Sequence, residues 1–214
     1  MKNSEVLVQM RDKVKSQIMN REIFPGTRIV EDDLAKNFGV SRAVVRSVLN
    51  KLESEGFIRI VPNKGASVIM PTFDEIKSVY HTRQSLEVGA ASLAIDNVSP
   101  EMIARMEENY QKQVELRSAF SITEYAKLNR AFHWEIVCAS KNEYYMKYLE
   151  EMYNIVHIYM VFYDKANDNT RSLETHGRML KALKERDKQM FIDALRLDSD
   201  HGVDDLKENF GYSK

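Results

Sequence analysis

The sequence predicts a mainly α-helical protein that combines a small N-terminal domain, containing one β-hairpin, with a larger all-helical domain. Eight Gly and four Pro among 214 residues leave few sharp turns, which disfavours a many-stranded β fold. Apolar residues recur at helical spacing along most of the chain. Strand signals cluster only between positions 57 and 70. We therefore place the domain boundary directly after them, giving domains of residues 1–71 and 72–214.

Two helices are predicted at the start of the chain. The first carries an apolar stripe at helical spacing, made of Leu7, Met10, Val14 and Ile18. It ends before the Phe-Pro-Gly run at residues 24–26, because Pro and Gly interrupt helices. A second, short helix covers about residues 31–37, and we expect it to bury Leu34 and Ala35. Gly39 follows it and can take the left-handed conformation that ends many helices.

A third helix begins two residues after Gly39, with Ser41 as its N-cap. Its apolar side consists of Val45, Val48, Leu49 and Leu52. Two helices joined by so tight a Gly-containing turn form a helix-turn-helix. The other side of the third helix carries Arg42, Ala43, Arg46, Ser47 and Asn50. These side chains can reach base edges or phosphates when such a helix enters the major groove of DNA.

A hairpin follows the third helix. Residues 57–61 and 66–70 are rich in β-branched side chains, and the Pro-Asn-Lys-Gly run at residues 62–65 joins them. This hairpin would be the wing of a winged helix-turn-helix, with Lys64 at its tip. Residues 1–70 hold 12 Lys and Arg against 8 Asp and Glu, whereas the remainder holds 19 against 24. The part of the chain that contains the helix-turn-helix is therefore the basic one. The alternative is a small helical domain whose arginines are merely solvated. The order of turn, polar face and hairpin along the chain favours a DNA-binding domain.

Residues 8–70 resemble, almost throughout, the DNA-binding domain of the GntR family of bacterial regulators. The positions that carry the match are Pro25-Gly26-Thr27, Glu31, Leu34-Ala35, Gly39-Val40-Ser41-Arg42, Val45-Arg46, Leu49, Leu52, Glu55-Gly56 and Gly65. The resemblance implies DNA contacts from Ser41, Arg42, Arg46, Lys64 and Gly65. Ala43-Val44 stands where the family usually has Thr-Pro, and Ser47 stands where it usually has Glu. The operator sequence should therefore differ from those of relatives, although the way the third helix docks on DNA should be the same.

About six helices are predicted between residues 72 and 214. The first begins with a capping box, Thr72 to Glu75, and continues to about Asn97. Three further helix starts are marked by Ser99-Pro100, by a second capping box at Ser121 to Glu124, and by Asp187. The sequence contains no apolar run approaching the roughly 20 residues that cross a bilayer, so we expect a cytoplasmic protein without a membrane partner. The single cysteine, Cys138, lies in a helical pattern and is expected in the core.

Polar residues on the apolar stripes of this bundle suggest a metal site. Asn129 and His133 are four residues apart on one helix face, His176 lies on another stripe, and His201 shares a face with Asp198. Three imidazoles and an oxygen ligand from facing helices would suit Zn²⁺ or Ni²⁺, leaving positions open for a ligand. The alternative is that each histidine is a hydrogen-bonded core residue, and spacing alone does not decide between the two.

Residues 72–206 are similar to the all-helical ligand-binding domain of the FadR branch of the GntR family, the FCD type. The resemblance implies a metal held by an Asp-x-x-x-His pair and two later histidines. Asn129 and His133 occupy the positions of the pair, and His176 and His201 match the later two. Asn offers a carbonyl oxygen without a charge, so the resemblance also implies a weaker or differently selective metal site.

Arg83 lies on the inward stripe of the first bundle helix, where a guanidinium needs a partner. That partner is either Glu87, one turn further on, or the carboxylate of a bound effector. Small carboxylic acids are the effectors that the family resemblance implies. His157 lies on a stripe that could line the same cavity, whereas His81 is expected at the surface or rim.

Together these features predict a homodimeric DNA-binding transcription regulator, with repression as the expected mode, that binds a double-stranded operator. A small organic acid, bound in the helical domain with or without a metal, would change the relative placement of the two DNA-binding domains. One alternative is a metal-dependent enzyme, although the chain has no HExxH motif and no carboxylate spaced beside the histidines as a general base. The other is a C-terminal domain that only dimerises.

Overall fold

The chain folds as two compact units, Met1–Pro71 and Thr72–Lys214. The structure is a computed structural model that describes residues 3–165 and 168–209. Residues 1–2 of the first predicted domain, and residues 166–167 and 210–214 of the second, lie outside the described residues. None of the helices in the described part of the chain is long and apolar enough to span a membrane.

The N-terminal unit is a winged helix-turn-helix, as predicted. Its elements are α1 (Asn3–Met19), β1 (Arg28–Ile29), α2 (Glu31–Phe38), α3 (Arg42–Ser54), β2 (Ile58–Val61) and β3 (Gly65–Val68). The strands form one antiparallel sheet in the order β1-β3-β2, with Ser67 paired to Arg28 on one side and to Arg59 on the other. The sequence predicted the hairpin of β2 and β3 but not β1, whose two residues are strand only because they pair with β3.

The turn between α2 and α3 forms for local reasons. Gly39 has a φ of +64° and donates its N–H to the carbonyl of Ala35, which closes the C-terminus of α2. The Ser41 hydroxyl accepts a hydrogen bond from the N–H of Val44 and caps α3. The predicted apolar side of α3 is buried throughout: Val45, Val48, Leu49 and Leu52. Leu34 and Ala35, which we expected to be buried, are only half-buried, because α2 lies at the surface.

Over residues 72–165 and 168–209, the C-terminal unit contains six α-helices, the predicted number. They are α4 (Phe73–Ala94), α5 (Pro100–Glu115), α6 (Ile122–Ala139), α7 (Glu143–Tyr163), α8 (Thr170–Glu185) and α9 (Lys188–Asn209). Short 3₁₀ turns, Ile95–Asn97 and Leu116–Ala119, follow α4 and α5. The predicted caps are present at Thr72, Ser99, Ser121 and Asp187. These four helix starts are therefore encoded locally.

Helix α4 packs against α6, α7 and α9, and α8 packs against α5 and α9. This arrangement brings the buried sides of α4, α6, α8 and α9 to a common interior. Phe132, Met179 and Phe191 belong to the apolar core on one side of that interior. Cys138 does not belong to it: the prediction of a core cysteine is wrong, because the side chain lies on the exposed face of α6.

Candidate functional site

The outer face of α3 is open to solvent. The predicted DNA contacts of this helix and its N-cap are all exposed, and so is the predicted contact at the tip of the wing. They are Ser41, Arg42, Ala43, Arg46, Ser47, Asn50 and Lys64. The side chains of Arg42 and Arg46 are about two-thirds exposed. Both lie in the N-terminal half of α3, the part of a recognition helix that approaches base edges.

Two carboxylates of α2 hold these arginines. The Arg42 Nη2 donates to Asp32 Oδ2 at 2.7 Å, and the Arg46 Nε lies 3.0 Å from Glu31 Oε2. These pairs could not be predicted from spacing along the chain, because residues 10 and 15 positions apart meet only when the two helices cross.

The wing tip depends on two residues with left-handed backbone. Asn63 has a φ of +63° and Gly65 a φ of +84°. A Cβ at Gly65 would lie 3.6 Å from the Arg28 guanidinium, so the main obstacle to another residue there is the backbone conformation rather than space. The turn that results presents Lys64 to solvent at the tip.

In the C-terminal unit, His133 of α6, His176 of α8 and Asp198 of α9 form one buried cluster. One ligand atom from each of the three lies within 4.8 Å of the others. The two Nε2 atoms are 3.2 Å apart, and Asp198 Oδ2 lies 3.3 Å from His133 Nε2. Asp198 Oδ1 lies 3.7 Å from His176 Nε2 and accepts a hydrogen bond from Thr175 Oγ1 at 2.6 Å. Possible metal ligands from three helices thus converge on one point.

A hydrogen-bond chain fixes the tautomer of His176. The Asn109 amide donates to the carbonyl of Leu128, so its Oδ1 faces Gln113 and accepts from Gln113 Nε2 at 2.7 Å. Gln113 Oε1 then faces His176 Nδ1 at 2.9 Å and can only accept. His176 therefore carries its proton on Nδ1 and directs the lone pair of Nε2 toward His133 and Asp198.

Burial and hydrogen bonding act in different balance on the two groups of this cluster. Burial lowers the pKa of His176 to about 3, so the imidazole is neutral and its Nε2 lone pair is available. Burial alone would raise the pKa of Asp198, but hydrogen bonds from His133 and Thr175 and the nearby imidazoles outweigh it and hold that pKa below its usual value. The cluster is thus two imidazoles and one carboxylate anion.

Glu87 connects the cluster to Arg83. Glu87 Oε1 accepts a hydrogen bond from the Tyr153 hydroxyl and lies 3.4 Å from His133 Nδ1, while Glu87 Oε2 lies 3.4 Å from Arg83 Nε. The guanidinium also lies over the Tyr80 ring, 4.8 Å from its centroid. The partner that the sequence offered from within the chain, Glu87, is therefore in place.

A polar cavity of about 470 Å³ adjoins the cluster. Its lining includes Arg83, Asn129, Asp198 and His201. His157 is buried in α7 and is not part of the lining. His81 is exposed, as expected.

The structure brings together some of the predicted ligands and adds others. His133 and His176 meet, and Asn129 lies one turn from His133, where its Oδ1 accepts from the Tyr125 hydroxyl at 3.4 Å. His201 lies outside the three-residue cluster and lines the cavity instead. Sequence reasoning did not select Asp198 as a ligand, although it lies on the same face of α9 as His201. Sequence spacing offered no carboxylate beside the histidines as a general base; the fold brings Asp198 and Glu87 close to His133 from other helices.

Comparison with known proteins identifies both units. Residues 8–68 match bacterial regulatory proteins of the gntR family, and residues 78–198 match the FCD domain. The chain belongs to the GntR family of DNA-binding transcriptional regulators. Within it, the chain has the C-terminal FCD domain of the FadR-like branch.

Relatives cover nearly the whole length of this GntR protein. It is 27% identical over 202 residues to the uncharacterized HTH-type transcriptional regulator YdhC of Bacillus subtilis, spanning 94% of this chain and 90% of that one. It is 25% identical over 210 residues to the gluconate operon transcriptional repressor of the same organism, spanning 94% and 85%. The structure of McbR/YncC of E. coli superposes with a TM-score of 0.82 at 21% identity, covering 96% and 98% of the two chains, and thus shares the fold. These relatives are regulators, which supports the prediction that the chain is not an enzyme.

Proposed function

We propose that this GntR regulator is a homodimeric repressor whose C-terminal domain binds a divalent metal and a small organic acid, and that the acid changes operator affinity. The observation that carries the proposal is the convergence of His133, His176 and Asp198 beside a polar cavity. A buried cluster of ligand atoms next to a ligand-sized space is a common arrangement for a sensor site.

The chemistry of the cluster fits a borderline ion such as Zn²⁺ or Ni²⁺. Two imidazoles and a carboxylate are ligands that these ions accept. Among the described residues, His133 Nδ1 has no hydrogen-bond partner, although Glu87 Oε1 lies only 3.4 Å away. A metal on His133 Nε2 would place the imidazole proton on Nδ1, facing that carboxylate, so binding would satisfy the atom.

Asn129 is the fourth residue that we assign to the metal. Its side chain is buried one turn before His133 and lines the cavity, and its amide oxygen is an uncharged metal ligand. Asp198 supplies the negative charge that Asn129 lacks. A bound divalent ion would also add positive charge to a cavity wall that includes Asp164, Asp168 and Asp205, and would thereby favour an anionic ligand.

Arg83 is the residue that we assign to the effector carboxylate. Its contact with Glu87 uses Nε, and the guanidinium carries two further nitrogens that can donate. Because Arg83 lines the cavity and Glu87 also faces His133, an acid bound at Arg83 would alter the electrostatic balance at the metal ligands. His157, which is buried in α7, stays a predicted effector contact.

The C-terminal domain also presents a surface suited to dimerisation. Leu93 of α4 and Tyr144 and Tyr148 of α7 are large hydrophobic residues that are 43%, 71% and 48% exposed. Helices α4 and α7 pack against each other, so these residues lie on neighbouring elements. A single helix-turn-helix makes few base contacts, and pairing two of them provides the affinity needed for a specific operator.

For the DNA interface we propose direct contacts from the exposed α3 face and the wing. The residues are Ser41, Arg42, Ala43, Arg46, Ser47, Asn50, Lys64 and Gly65. All of them except the half-buried Gly65 are exposed, which supports this. The recognition helix of a helix-turn-helix enters the major groove with its N-terminal half, which is also where Arg42 and Arg46 lie.

Native mass spectrometry and zinc titration of the full chain test the metal proposal. We expect a dimer with one zinc per subunit, and we expect His133→Gln and His176→Gln each to abolish stoichiometric binding. The matched control is His81→Gln, which changes an exposed histidine of α4 and should bind zinc normally. Equal zinc binding by all four proteins would refute the assignment.

The effector proposal has a separate test. Small organic acids, added to the zinc-loaded protein, should raise its unfolding temperature and lower its affinity for operator DNA. Arg83→Gln should remove both effects without removing the zinc. If no acid shifts either quantity, the domain only dimerises.

A further inference from the structure

The DNA-reading face of α3 is electrostatically covered by α2. Both exposed arginines of that face are paired to carboxylates in the first turn of α2, Arg42 to Asp32 and Arg46 to Glu31. All four side chains are at least about one-third exposed, so these are surface pairs rather than part of the buried core. The packing of the fold does not require them, since the α2–α3 turn is closed by Gly39 and Ser41.

The same turn of α2 is unusually acidic for a DNA-binding surface. Glu31, Asp32 and Asp33 occupy its first three positions. A helix N-terminus ordinarily favours phosphate, and the first helix of a helix-turn-helix crosses the DNA backbone. Here three negative charges stand where phosphates would approach, and two of them also engage the arginines that would neutralise DNA.

We propose that Glu31 and Asp32 are affinity-limiting residues of the DNA interface, which compete with DNA for Arg46 and Arg42. Each arginine must leave its carboxylate, or share it, before its guanidinium can bind a guanine edge or a phosphate. The N-terminal unit as a whole is basic, but this competition reduces the charge that its reading face offers to DNA. The inference rests on α3 being the surface that contacts DNA.

The size of the effect follows from the type of pair. An exposed ion pair corresponds to a factor of about 1.4 to 5 in an equilibrium constant. Releasing one arginine to a phosphate adds about 0.9 to the magnitude of the slope of log affinity against log salt. Glu31→Gln and Asp32→Asn should therefore each increase affinity for DNA by a factor of about 1.4 to 5 and steepen its salt dependence.

The experiment measures binding of the full-length chain to a fluorescent duplex of random sequence, and to a duplex that the wild-type chain enriches from a random pool. Binding is followed over a series of salt concentrations. The matched control is Asp33→Asn, which removes the same charge from the same exposed turn; among the described residues, Asp33 makes no ion pair with α3. We expect Asp33→Asn to raise affinity less than Asp32→Asn.

A double-mutant cycle isolates the competition from general repulsion. In an Arg42→Ala background, Asp32→Asn should raise affinity only as much as Asp33→Asn does, because the paired arginine is gone. An increase from Asp32→Asn in that background that still exceeds the increase from Asp33→Asn, or no increase in the wild-type background, would overturn the proposal. Failure of α3 to contact DNA at all has a different signature, since Arg42→Ala alone would then leave binding unchanged.

Discussion

Replacing Gln113 with methionine tests whether the hydrogen-bond chain behind His176 prepares the cluster for a metal. Gln113 is fully buried in α5, and methionine has a similar length and fills the same space. The thioether offers His176 Nδ1 only a weak acceptor and offers Asn109 no donor. The imidazole can then carry its proton on Nε2, which removes the lone pair that faces His133 and Asp198.

The magnitude comes from the burial of each partner. His176 is 0% exposed, so its N–H loses a partner that water cannot replace, at a cost of about 1–3 kcal/mol. Asn109 is only half-buried, so water can replace the hydrogen bond that it loses from Gln113, and this loss adds little to the free-energy cost. Loss of such an outer hydrogen bond to a metal-bound histidine weakens metal affinity about 10- to 100-fold.

Two measurements check this prediction. Urea unfolding of the chelator-treated protein, followed through the single tryptophan Trp134, gives the stability loss, and competition with a chromophoric chelator gives the zinc affinity. The control is Gln111→Met on the same helix, which removes an exposed bond to Glu115. If Gln113→Met and Gln111→Met bind zinc equally well, the tautomer does not depend on Gln113 and the reasoning is refuted.

Three further changes have direct expectations. Asp198→Asn removes the only charged ligand of the cluster, so zinc affinity should fall further than in Gln113→Met; an unchanged affinity by chelator competition would exclude Asp198 as a ligand. Arg46→Ala should lower DNA affinity and reduce the magnitude of the salt slope by about 0.9, measured by fluorescence anisotropy, and an unaltered slope would argue against a phosphate contact. Phe57→Ala empties a fully buried position beside the wing and should destabilise the N-terminal unit by about 3–5 kcal/mol in urea unfolding, whereas a loss under about 1 kcal/mol would contradict its burial.

Most of the fold could be predicted from the sequence because its signals are local. Ser41 caps α3, Thr72 caps α4 and Ser99 caps α5 through bonds to residues three positions away, so their effect does not depend on the rest of the molecule. The short strand β1 was not predictable in this way, since two residues carry no periodicity and pair with β3 only in the folded unit. Cys138 illustrates the same limit, because a helical pattern does not fix which edge of a stripe faces outward.

The site residues were predictable only where the sequence marked them as unusual. His133 and His176 are polar residues on apolar stripes, and both proved to be buried ligand candidates. Asp32 looked like an ordinary acidic residue in the first turn of a helix. Its pairing with Arg42 depends on how α2 crosses α3, which no spacing along the chain encodes.

The choice between His201 and Asp198 shows what decides the chemistry of the cluster. The two residues are three positions apart, so they project from nearly the same side of α9, and either could face the histidines. The packing of α9 in the folded unit decides between them: Asp198 reaches His133 and His176, whereas His201 lines the cavity outside the cluster. The carboxylate that Asn129 fails to provide on α6 is thereby present on α9. The cluster keeps one negative charge, and a weak site cannot be inferred from Asn129 alone.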